Sequence, residues 1–187
     1  MDAFSYLSVL LSIIIGLAIT QVLQGYRALL LARERLVLYA PTLIWSVLIL
    51  VIATQMWWSS FGLINYRNWS FASFSVILLQ TVLLYMLAAL VLPDVAAGEG
   101  VELERHYHVE RVPFFTMLLA LLACSLVKDW MLQGHLPVGA NLAFHVAFAG
   151  LALVALISAN RRAHIAIALG MIAAMLAYIG LLFSHLN

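Results

Sequence analysis

Charged side chains are scarce in this sequence: nine Lys/Arg and eight Asp/Glu among 187 residues, or 9%. A soluble domain carries roughly a quarter, so too few are present to cover a water-facing surface. Hydrophobic residues occupy 66% of positions and mean hydropathy is +1.09, which makes lipid the solvent for most of the chain. A formal net charge of +1 lacks the basic footprint of a nucleic-acid binder. Cysteine is almost missing as well. Cys124 is alone, which excludes an intrachain disulfide, and within an apolar run it reads as a small filler. Recognisable catalytic and cofactor motifs are also lacking: no Gly-rich phosphate loop, no Cys-x-x-Cys, no His-Glu-x-x-His and no Gly-x-Ser-x-Gly occurs. These absences favour a protein that is not an enzyme and carries no cofactor.

What remains is six apolar stretches, near residues 4–30, 39–64, 69–92, 112–132, 138–158 and 163–184. Each is long enough for a spanning helix of about 20 residues. The expected fold is an all-α integral membrane protein, a single transmembrane domain of six helices with a cytoplasmic loop over 93–111. The charges gather between these stretches or near their ends. The first stretch has no positive segment before it, since Asp2 is the only charge before Arg27; it is expected to stay as a helix instead of serving as a cleaved signal. The positive-inside rule orients the chain with both termini outside. Arg27, Arg33, Arg35, Arg105, Arg111, Arg161 and Arg162 then face the cytoplasm, and only Arg67 and Lys128 lie outward. Trp57, Trp58, Trp69 and Trp130 fall at the outer interface. Three spans on either side of the central loop would give halves of opposite orientation, as in inverted-repeat transporters, although the two share little sequence.

Two stripes of small residues stand out. The first span has Ser5, Ser8, Ser12, Gly16, Thr20 and Gln24 at a spacing near four. The sixth has Ala163, Ala166, Gly170, Ala173, Ala177, Gly180 and Ser184 at alternating three and four. Small residues at such spacing let helices approach closely. The expectation is that both stripes pack within the chain, with a homo-oligomer or a membrane partner subunit as the alternative.

Polar residues at membrane depth are few. Gln55, Gln80, Lys128, Asp129, Asn141 and His145 all fall in the middle-to-outer layer of the predicted topology. An unpaired amide or imidazole in hydrocarbon costs several kcal/mol, so these groups are expected to face one another or a wet cavity. His145 lies ~10 Å into its span and is the one ionisable group deep in an apolar run; Asn141 is one turn earlier on the same face. Lys128 and Asp129 are neighbours about 100° apart on a helix and are not expected to pair with each other. A haem would need two histidines at one level. His135 and His185 lie too far out and His164 too far in to match His145.

The segment 101–111 carries Glu or His at every even position. If it were extended, Glu104, His106, His108 and Glu110 would share one face and could bind a metal. A short surface helix leading into the fourth span is the reading preferred here. Several stretches, SIIIGLAITQVLQGYR (12–27), PTLIW (41–45), Trp57-Trp58, LVLP (90–93) and HYHVERVPFF (106–115), resemble a group of small polytopic bacterial membrane proteins of unassigned function. That resemblance implies a bacterial inner-membrane protein and adds no catalytic residue. The leading expectation for function is a non-enzymatic assembly or accessory subunit. The alternative is a small-solute or ion channel or transporter using the outer polar layer. A haem or quinone redox protein is third.

Overall fold

The structure is a computed structural model that describes residues 3–95 and 100–182. It contains six helices long and apolar enough to cross a membrane: α1 (Ala3–Leu31), α2 (Ala40–Ser59), α3 (Phe71–Leu90), α4 (Leu103–Gln133), α5 (Ala140–Ile157) and α6 (Arg161–Leu182). A 3-10 segment, Ser60–Asn65, prolongs α2. The local chemistry accounts for the boundaries. Pro41 stands in the first turn of α2, where its missing N–H is no loss. Ser70 and Ser73 form a reciprocal capping box at the start of α3. Gly134 ends α4 at φ 77°, a left-handed cap that glycine adopts without strain, so the 134–137 break separates two helices. Arg162 donates its backbone N–H to Asn160 Oδ1 at 2.9 Å, capping α6.

The fourth helix begins at Leu103, nine residues before the expected 112. The segment 103–111 is therefore helical, and the connection from α3 is shorter than the expected 93–111 loop. The short helix expected over this segment and the fourth span are one element, which runs unbroken through Pro113. Here Leu103, Tyr107, Phe114 and Phe115 are all buried at helical spacing and carry one face across the proline. At 1.5 Å per residue α4 is about 46 Å long, longer than a ~30 Å hydrocarbon core.

The helices close into a ring in the order α1, α3, α4, α5, α6, α2, and α2 also reaches inward to α3 and α4. The halves are not packed alike: α1 lies along α3, whereas α4, α5 and α6 adjoin in chain order. At the arginine-rich end a parallel pair, β1 (Leu36–Val37) with β2 (Val101–Glu102), ties the segment after α1 to the segment before α4.

Packing inside α1 uses a different face from the one expected. Leu7, Leu11, Ile15, Ala18, Val22 and Leu29 are buried, while Ser12, Gly16, Thr20 and Gln24 are exposed and Ser8 is half-buried. In α6, Ala166, Ala173, Ala177 and Gly180 are exposed and Gly170 is half-buried; Ser184 lies outside the described residues. Ala163 packs against the core and a Cβ on Gly170 would meet Leu151 at 4.0 Å, but most of both stripes turns away from the bundle, correcting the expectation that they pack within the chain. Interlocking aliphatic side chains do that work instead. The outward hydroxyls tolerate the position by bonding to their own helix: Ser8 donates to the Ser5 carbonyl at 3.0 Å and Thr20 to that of Gly16 at 2.8 Å. The close approach is made by Gly25, where an added Cβ would lie 2.8 Å from Leu92 Cβ.

Candidate functional site

The sequence-selected polar residues converge at the tryptophan-rich end. Gln55 of α2, Gln80 of α3, Lys128 and Asp129 of α4 and Asn141 of α5 line one cavity of ≈ 320 Å³. Its rim includes Ser60, Gly62 and Gln133, and Gly62 and Gln133 are exposed. Deeper in the bundle lies an apolar chamber of ≈ 80 Å³ walled by Trp45, Leu48, Leu121, Phe148, Met171 and Met175 among others. Vestibule and chamber share Gln55, Met56, Gln80, Ser125 and Tyr178 as walls.

His145 stands at the junction and lines the chamber. Its Nδ1 lies 2.9 Å from the Asn141 carbonyl oxygen. A carbonyl only accepts, so Nδ1 carries a proton. In the neutral ring Nε2 then accepts the Ser125 hydroxyl, 3.4 Å away. The link between Asn141 and His145 is thus one helical turn of backbone. The Asn141 side chain stays available: its Oδ1 is buried and has no hydrogen-bond partner. Lys128 Nζ and Asp129 Oδ1 are 3.6 Å apart. They do pair, contrary to expectation, because the lysine stem is long enough to fold back across the 100° between them. At that distance the contact is longer than a charge-assisted hydrogen bond of about 2.7–2.9 Å, so both groups keep room for another partner.

Below the chamber the path is filled. Trp45 is 1% exposed and meets Phe114 and Phe115 edge-to-face at 5.4 and 5.1 Å between centroids, the geometry ring quadrupoles favour. Trp45 also lines a small cleft of ≈ 20 Å³ on the opposite side, with Thr42, Tyr107 and Arg111. It therefore separates the vestibule side from the arginine-rich end.

That end holds a cluster that the sequence reading missed. His164 is fully buried. Its Nε2 lies 3.0 Å from the Ser158 carbonyl and so donates; Nδ1 accepts from the Tyr107 hydroxyl at 2.8 Å. His108 packs on Tyr39, Tyr107 and His164, and Arg161 sits 5.5 Å over the Tyr39 ring. Burial pushes the Tyr39 phenol above its ordinary range; nearby Glu104 adds to the shift and Arg161 opposes it. The helix expected here is a surface one; its continuity with the fourth span instead packs Leu103 and Tyr107 into the bundle.

The same helicity disperses the four residues considered for a metal. Glu104 pairs with Arg161 at 3.5 Å, His106 Nε2 donates to the Leu90 carbonyl at 3.0 Å, and His108 joins the aromatic cluster. Glu110 lines the small cleft beside Arg111. The extended geometry needed to put them on one face is not adopted, and no three His, Cys, Asp or Glu side chains converge among the described residues. Cys124 is buried and donates its S–H to the Val76 carbonyl at 3.3 Å, linking α4 to α3. No protein-family model, curated protein or solved structure matches this chain.

Proposed function

We propose that this chain is a multi-pass membrane protein that admits a small polar solute from its tryptophan-rich face, as a transporter or channel. The observation that carries the reading is the convergence of five separately selected polar side chains, from four helices, on one cavity that reaches the surface. The same cavity brings together a buried amide oxygen without a partner and a loose ion pair. The Trp45 plug makes this conformation closed towards the arginine-rich end, as an alternating-access cycle requires of one of its states. The arginine distribution favours the vestibule facing outward, with both termini on that side; a bacterial inner membrane is what the resemblance of its sequence stretches implies.

The test is chemical access. In a Cys124→Ala background, Ser125→Cys reports on the junction of vestibule and chamber. Labelling by a membrane-impermeant thiol reagent added outside intact cells is the expected result. Protection from the reagent would overturn the reading. Proteoliposome flux of a small polar solute should be lost in His145→Ala.

The accessory-subunit reading draws on a separate observation, the outward-facing stripe of α1. Self-association or capture of a stoichiometric membrane partner, abolished by Gly16→Leu, would support it without excluding solute uptake.

A further inference from the structure

The vestibule and the chamber differ sharply in chemistry while touching each other, and that division specifies a ligand. The vestibule offers one cation, one anion and one unpartnered acceptor: Lys128, Asp129 and Asn141 Oδ1. The chamber offers an apolar slot between Trp45, Leu121, Phe148 and Met175. We propose, on the basis of the solute-uptake reading above, that the site binds a zwitterion with a compact branched apolar group, the chemistry of an aliphatic α-amino acid.

Each part has a counterpart. A ligand carboxylate would meet the Lys128 ammonium, whose contact to Asp129 at 3.6 Å leaves its other donors open. A ligand ammonium would supply the donor that buried Asn141 Oδ1 lacks, with Asp129 as the second acceptor. A simple anion would leave Asn141 Oδ1 unmatched and draw Lys128 away from Asp129, and a simple cation would draw Asp129 away from Lys128. Leaving a buried polar group unmatched is the usual source of strong discrimination between close analogues. The apolar end has a size limit. A dry cavity of about 150 Å³ accommodates benzene, and the chamber has ≈ 80 Å³. An isopropyl or isobutyl group fits that space and a benzyl group does not, short of moving Trp45.

The experiment is equilibrium binding of radiolabelled leucine to the purified full chain in nanodiscs, with unlabelled competitors. Leucine and valine should compete. 4-Methylpentanoate (no ammonium) and isoamylamine (no carboxylate), each short of one charged hydrogen bond, and glycine, which has no apolar group to bury, should each compete at least about tenfold less well. Phenylalanine should also compete poorly. Lys128→Met should abolish leucine binding, and Asn141→Leu should weaken it by a similar factor, with both variants retaining the parent elution profile and Tm. Absence of leucine binding at millimolar concentration, or equal competition by isoamylamine or 4-methylpentanoate, overturns the proposal. Should Ser125→Cys label from outside while leucine fails to bind, the zwitterion assignment falls and the solute pathway stands. Should Ser125→Cys be protected, both fall.

Discussion

The two ends of this bundle surround their buried polar groups differently. At the arginine-rich end His164 spends both ring nitrogens on protein partners, Ser158 and Tyr107, inside a shell of edge-packed rings. At the tryptophan-rich end Asn141 keeps an unpartnered oxygen and its neighbours surround a cavity of ≈ 320 Å³. Unpartnered buried atoms occur at both ends, the Tyr39 hydroxyl and Arg111 Nε at the base and Asn141 Oδ1 at the mouth; the difference is that packed rings fill the base, whereas the mouth opens on a cavity. The same six helices thus close one end with rings and leave a cavity at the other.

Substitutions at the base should cost the most. Phe115→Ala, which removes a fully buried ring touching Trp45, Tyr107 and His164, is expected to destabilise by about 3–5 kcal/mol. Gln55→Ala at the mouth should stay within about 0.5 kcal/mol. Detergent thermal unfolding of both variants measures the difference, and equal losses would erase the contrast between the ends. Next comes glycine. Gly25→Ala forces a methyl against Leu92 and should cost roughly 1–3 kcal/mol by overpacking. Gly16→Ala, with open space around it, should leave the Tm unchanged or raised.

The histidines sharpen the comparison further. His164→Leu takes the acceptor from the Tyr107 hydroxyl, while the Ser158 carbonyl keeps the Arg111 guanidinium as donor; the expected loss is about 1–3 kcal/mol, which Tyr107→Phe should partly relieve in a double-mutant cycle. His145→Leu sits beside the cavity, where water can take over the freed Ser125 hydroxyl, and should cost about 1 kcal/mol or less. The smallest effect belongs to Tyr39→Phe. That hydroxyl is buried without a partner, so its removal should leave stability within about 0.5 kcal/mol of the parent or slightly above it; a larger loss in the melting curve would mean the hydroxyl is bonded after all.

Much of this architecture was legible from hydropathy, because a run of about 20 apolar residues has few alternatives to a helix. The mouth was legible too. Gln55, Gln80 and Asn141 are conspicuous in apolar surroundings, and the cost of leaving them unpaired predicts their convergence without any knowledge of helix order. The stripes were misread because small residues permit close contact without demanding it. In α1 the interlocking Leu7, Leu11 and Ile15 decided which face turned inward. Lys128 and Asp129 were judged by the angle between adjacent helical positions, which ignores how far a four-carbon stem can bend. The aromatic base was hidden for a different reason. It depends on α4 continuing through Pro113, a tertiary outcome that overrides the local preference at that residue.

The short parallel pair of Leu36–Val37 with Val101–Glu102 joins the segment leaving α1 to the segment entering α4, on the far side of the molecule from the vestibule. It acts as a stitch across the two halves at a single rim. A bundle sewn there cannot part at that edge without tearing backbone hydrogen bonds, so any widening must take the form of a tilt about it. The lever arm is then the length of a helix, and a small rotation at the stitched rim becomes a displacement of ångströms where Gln80 and Asn141 wait.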